Sequence, residues 1–241
     1  AIIGFAGPVL NPETRPTGTG PLLILLDGGW ADARDWPRRL DKAQALLDEA
    51  GRLGRKVAVM RLSDVSQPIE FQTAEAWSGR LAAMQPQAWL PDMRQPWGDA
   101  LPEGSFDTYW LSDGLSHQGQ PELVTTLQGR GNLTVFQSPR PIFALRPAHF
   151  DTGEIVLTAA RSASSDAADL DVIARGPDPS GIDRELARGR VQFDATAAEA
   201  VVKLTLPPEL RNRINRFELL GQRSAGAVSL TDDSLKRRKI A

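Results

Sequence analysis

The chain of 241 residues has no cysteine. Disulfides, thiolate metal sites and cysteine nucleophiles are therefore excluded. Histidine is scarce, with two in the whole chain, too few to suggest a histidine-rich zinc site or a histidine-based catalytic centre. Aromatic residues make up 6%, with a single tyrosine. No charge of one sign dominates: 28 Lys and Arg stand against 30 Asp and Glu. A nucleic-acid binder carries a basic excess, so nucleic acid is not expected as a partner. No Gly-rich P-loop signature occurs.

What is present reads as globular. Hydrophobic residues make up 41% and charged residues 24%, and the length suits one large domain or two small ones. The first ten residues, Ala-Ile-Ile-Gly-Phe-Ala-Gly-Pro-Val-Leu, are apolar. They are half of the roughly 20 residues that cross a bilayer, so they read as the tail of a spanning helix, or as a short strand or ordered arm. Residues 11–20 are rich in Pro, Gly and Thr and read as a linker. The basic end, Leu235-Lys-Arg-Arg-Lys-Ile-Ala, reads as a solvated surface, with a membrane-surface role as the alternative.

Between residues 18 and 145 apolar runs alternate with helical periodicity. Leu22-Leu23-Ile24-Leu25-Leu26 is a continuous apolar run ending at Asp27-Gly28-Gly29, the pattern of a strand buried on both faces. Leu40, Ala43, Leu47, Ala50 and Leu53 mark an amphipathic helix over 36–53, with Pro37 in its first turn and Gly54 as its stop. Further strands are expected at 56–62, 107–112 and 132–137, and further helices at 74–84 and 121–128. Such alternation predicts a parallel sheet with helices on both faces. The Pro-rich segment 138–147 reads as a domain connection. After it come six short β-type runs, at 154–158, 168–174, 189–195, 200–206, 214–219 and 227–231, which predict a small antiparallel β-sandwich over 150–235.

Ligands of open α/β sheets bind beyond the carboxyl ends of the strands. Two strands here end in Asp-Gly, at Asp27-Gly28 and Asp113-Gly114. Two carboxylates on one rim suit a hard cation such as Mg²⁺. Turn chemistry alone also explains them, because Asp caps and Gly accepts positive φ.

The strand Leu-Leu-Ile-Leu-Leu-Asp, a long helix and a later Leu-Ser-Asp-Gly resemble a von Willebrand factor A domain. The resemblance implies a Rossmann-type α/β fold and a metal-ion-dependent adhesion site of pattern Asp-x-Ser-x-Ser, a Thr and a later Asp. Asp27 matches the first carboxylate and Asp113 the last. The two serine positions are Gly29 and Ala31, and Thr73 is the candidate for the Thr. The implied site is therefore degenerate: no metal is expected, and Asp27 and Asp113 are the positions to test. Gly4-Phe5-Ala6-Gly7-Pro8 resembles the end of the second membrane helix in BatA-type bacterial proteins, and residues 225–241 resemble a strand pair leading into a further domain. That likeness implies a periplasmic fragment of an inner-membrane-anchored protein, with residues 1–17 as leader. A cytoplasmic location is the alternative.

The expected function is a non-enzymatic protein-interaction module without a cofactor, whose partner docks on a face built from Asp27, Gly29, Trp30, Asp113 and Ser116. Two alternatives accompany it. One is a Mg²⁺-dependent adhesion-type domain in which waters replace the lost hydroxyls. The other is a hydrolase using Ser116, since Ser112, Asp113, Ser116 and His117 share one loop, although no Gly-x-Ser-x-Gly elbow surrounds them. His149 reads as a connector residue. Trp77 and Trp110 read as core, whereas Trp30, Trp36 and Trp97 fall near loops and are candidate contact residues.

Overall fold

A computed structural model describes residues 18, 20–64, 68–94, 97–101, 103–163 and 166–231. The apolar opening stretch and the basic end lie outside these residues. The chain forms two compact units, one of residues up to Gly29 together with Asp35–Gln137, the other of Trp30–Arg34 together with the chain from Ser138 onward.

The first unit is an α/β layer structure. Its strands are β1 (Leu22–Leu26), β2 (Val57–Arg61), β3 (Asp107–Ser112) and β4 (Leu133–Gln137), all parallel in the order β2-β1-β3-β4. Its helices are α1 (Trp36–Arg52), α2 (Ala74–Ala83), α3 (Trp97–Ala100) and α4 (Gln120–Gln128). All five β1 side chains are buried because successive residues point to opposite faces and both faces are covered. Leu22, Ile24 and Leu26 pack with α1 and α2, while Leu23 and Leu25 pack with Trp97, Trp110, Leu123 and Leu127. Helix α1 has proline in its first turn and stops where Gly54 takes φ +65°.

The second unit is antiparallel throughout. One sheet joins β10 (Glu199–Leu204), β7 (Glu154–Arg161) and β5 (Phe143–Leu145), with β6 (His149–Asp151) also on β7. The other runs β12 (Val228–Leu230), β11 (Arg216–Leu219), β8 (Ala168–Pro177) and β9 (Asp183–Phe193). Ile155, Leu157 and Val202 from the first sheet share one core with Val172, Val191 and Phe217 from the second. A short helix, α5 (Pro208–Arg211), joins β10 to β11.

Several expectations change. The Pro-rich segment 138–147 is not a bare connection, because it contains β5, which pairs with β7 through Phe143, Ala144 and Leu145. His149 opens strand β6 and is exposed. Strand β9 begins at Asp183, six residues before the apolar pattern suggests: its first half is charged and exposed, so periodicity does not mark it. Trp36 and Trp97 are buried at the starts of α1 and α3, so they are core residues. No helix among the described residues is long and apolar enough to cross a membrane.

Candidate functional site

The strand order reverses direction between β1 and β3, which makes the crevice beyond their carboxyl ends the place where open α/β sheets bind ligands. Leu26 pairs with Leu111, so Asp27 follows β1 just where β3 ends. Asp27 is fully buried, and its carboxylate accepts from three groups of the β3 end. The Trp110 indole Nε1 donates to Oδ1 at 2.7 Å, while Ser112 Oγ and the Asp113 backbone N–H donate to Oδ2 at 3.2 and 2.6 Å. The two expected carboxylates thus share one rim.

Asp113 is buried beside it. Its Oδ1 accepts the Leu115 N–H at 2.8 Å, a turn that reverses the chain out of β3. Nε2 of His117 lies 3.0 and 3.1 Å from the two Asp113 oxygens. An ionised carboxylate only accepts, so Nε2 carries the hydrogen in that state. Asp27, Asp113 and His117 can each offer a ligand atom, all within 4.8 Å of one another. At that separation two ionised carboxylates repel by about 3 kcal/mol at an effective dielectric near 20, which donors from Trp110, Ser112, Asp113, Leu115 and His117 offset.

A strap crosses this rim. Gln87 N–H donates to Gly28 O at 2.7 Å, and Trp89 Nε1 donates to Ser63 O at 2.9 Å. Gly28 takes φ +69°, and its carbonyl also accepts from Ser63 Oγ at 2.9 Å. A Cβ on Gly29 would fall 2.8 Å from Trp89 O and 3.3 Å from Pro91 Cδ. At Gly119 a Cβ would fall 2.6 Å from the Met93 carbonyl. The glycines at 29 and 119 therefore let residues 87–94 lie flat across the strand ends.

The expected face is only partly assembled as a surface. Asp27, Gly29 and Asp113 are brought together but buried, whereas Ser116 is exposed. Trp30 groups with the second unit, where its ring would meet a Cβ on Gly226 at 2.6 Å. Thr73 caps α2 next to Gln72, which bridges to Val57 at the start of β2, so it sits at the opposite end of the parallel sheet from Asp27. It is no candidate ligand. Among the described residues of this unit the exposed aromatic is Trp89, 57% exposed, followed by Leu90 at 40%. Neither stood out by sequence pattern; Pro86 and Pro91 mark only an irregular segment. His117 was more legible, four residues beyond Asp113 in the same loop.

The donor set has distinct chemical implications. Mg²⁺ requires near-octahedral oxygen ligation, and the position of the first serine is a glycine pressed under the strap. These residues do not fit that ion. Two carboxylates and an imidazole form instead the kind of set that takes a transition ion. A hydrolytic triad needs a nucleophile on the histidine. Ser112 Oγ is committed to Asp27, and neither Ser112 nor Ser116 hydrogen-bonds to His117. The sequence matches no protein-family model and no curated protein.

Proposed function

We propose that the chain is a non-enzymatic protein-interaction module, the extracytoplasmic part of an inner-membrane-anchored bacterial protein. In this reading the first unit is a von Willebrand A-like domain whose adhesion site has been rebuilt as an internal polar lock. One observation carries it: the Asp27 carboxylate, the position a metal would need first, takes its hydrogen bonds from Trp110, Ser112 and the Asp113 backbone. The rim then offers its partner a covered surface, where the exposed groups are Ser116, Trp89 and Leu90. Aromatic and aliphatic side chains at a rim are the anchors protein partners use.

The test is affinity capture on the exposed groups alone, with Leu90→Asp and Ser116→Arg in the full chain. Loss of a captured partner with an unchanged circular dichroism spectrum supports the reading. Retention of every partner by both variants refutes this face.

A second reading has its own observation, the convergence of Asp27, Asp113 and His117. It makes the unit a metal-dependent binding domain. Titration calorimetry with Mg²⁺, Mn²⁺ and Zn²⁺ separates the two: heat that disappears in His117→Gln favours the metal, and no heat at millimolar ion rejects it.

A further inference from the structure

Among the described residues no strand covers the β2 edge of the first unit's sheet, and the hydrogen-bonding groups of that edge can be assigned from pairing. In a parallel strand alternate residues bond to one neighbour. Leu22 N–H donates to Lys56 O and Leu62 N–H to Leu26 O, so Lys56, Ala58, Met60 and Leu62 face β1. Val57, Val59 and Arg61 therefore turn their backbone groups to the open side. There the Arg61 carbonyl already accepts the Asp64 N–H at 3.2 Å, so that Val59 N–H and C=O and the Arg61 N–H are the groups left for a further strand. The chain itself satisfies Val57, which exchanges both hydrogen bonds with Gln72 at 2.7 and 2.9 Å and also accepts Trp77 Nε1 at 2.8 Å.

That antiparallel pairing stops after one residue. Continued, it would set Glu70 opposite Val59 and Pro68 opposite Arg61. Pro68 has no N–H to give, and Ile69 N–H is committed to Ala100 O at 3.1 Å. The segment peels away and leaves a cleft of about 560 Å³ between the β2 edge, Ile69, the α2 residues Trp77 and Arg80, and Met84 just beyond the helix. An open edge of this kind is a template for another strand; β2 carries no proline to block it, and its one charge, Arg61, is paired with Asp64.

We propose that this cleft receives an extended segment of a partner protein, which adds as a strand beside Val59 and Arg61 with a carboxylate side chain on its α2 side. The carboxylate follows from charge. Arg61 is neutralised by Asp64 at 2.9 Å. Arg80 stacks on the Trp77 ring at 4.6 Å, donates to the neutral Gln72 side chain, and has no carboxylate partner among the described residues. The opposite wall, with Met60 and Ile69, is apolar. A strand presents alternate side chains to the two walls, so an acidic residue flanked by aliphatic ones meets both. Glu70 stays at the outer lip, exposed to solvent. This edge is independent of the Asp27 cluster and of the function assigned to it.

The test uses the full chain and the peptide acetyl-Val-Thr-Val-Asp-Val-amide, read by hydrogen exchange of the Val59 and Arg61 amides. Both amides exchange freely in the protein alone at every concentration, and millimolar peptide slows them about tenfold or more. Arg80→Ala, a change at an exposed side chain, weakens peptide binding about tenfold, and methylating the peptide's central amide abolishes it. Four results overturn the proposal. They are protection in the dilute free chain, which assigns the edge to the chain's own residues 1–17, and protection that grows with protein concentration, which assigns it to a second copy. The others are binding indifferent to both Arg80→Ala and amide methylation, and no binding at millimolar peptide.

Discussion

Each unit buries charge, and one buried site in each shows a different solution. In the first, Asp27 and Asp113 lie side by side beyond the strand ends, with His117 against one of them. In the second, Arg161 is buried with no carboxylate on its guanidinium among the described residues. Its Nε donates to Ala197 O at 2.7 Å, its Nη1 to Asp166 O at 2.6 Å, and its Nη2 to Asp194 O and Ala195 O at 2.6 and 2.9 Å. The guanidinium also lies over the Phe193 ring at 5.1 Å. A guanidinium that is always charged and bound to carbonyls of two adjacent loops is a clamp, and its state does not change. Two adjacent carboxylates with an imidazole offer ligand atoms that a guanidinium does not. The contrast separates a structural buried charge from one with chemical options, although both are buried.

The largest effect that tests this contrast is expected from Asp27→Ala. It leaves the Trp110 indole and the Asp113 amide buried without acceptors, and should destabilise the first unit by about 3–5 kcal/mol in urea unfolding. A loss under 1 kcal/mol would mean that the cluster is not a lock. Arg161→Met should cost about 2–4 kcal/mol, confined to the second unit, because it strands four carbonyls. Hydrogen exchange should show the segment Asp194–Ala198 loosening while β1 and β3 remain protected; loosening of both units would erase the distinction. Gly29→Ser restores a serine to the adhesion pattern, yet its Cβ would collide with Trp89 O. A cost of about 1–3 kcal/mol is expected, with no gain in Mg²⁺ heat by calorimetry. Gain of Mg²⁺ binding would show that the strap yields readily.

The smallest effect concerns the outer face of the β8–β9–β11 sheet. Hydrogen bonding to Arg216 holds the Asp183 carboxyl below its ordinary value, and hydrogen bonding to Arg188 does the same for Glu185. A carboxylate depressed in the folded state contributes stability above its unfolded value and loses it as pH falls through the folded one. Acid should therefore weaken this face only below about pH 4, and salt should weaken it at neutral pH. Both groups are exposed, so the thermal shift should be slight. In the first unit the sign is opposite for Tyr109. Burial raises its hydroxyl above the ordinary tyrosine value, so its contribution is lost as pH rises past about 10.

Much of the first unit was legible because its signals are local. Strand β3 and the long helix α1 lie within a residue of where periodicity places them, since continuous apolar runs and 3.6-residue stripes record burial directly. Both carboxylates were legible from Asp-Gly at strand ends. The strap was not, because residues 85–94 have no period, and their placement depends on Gly29 and Gly119, far apart in sequence. The first half of β9 was hidden for another reason: its outward charges pair across strands, as Arg188 does with Asp171, and carry no apolar alternation.

The sequence by itself determined the parallel layer, the antiparallel unit that follows it and the two acids at the rim, because hydrophobic period and turn residues act over a few positions. Only the tertiary structure decided that those acids are buried under a strap and joined by a histidine, that Trp30 belongs to the second unit, and that no strand among the described residues covers the β2 edge. Each of these depends on which distant segment reaches a given hydrogen-bonding group first, and no local pattern encodes that competition.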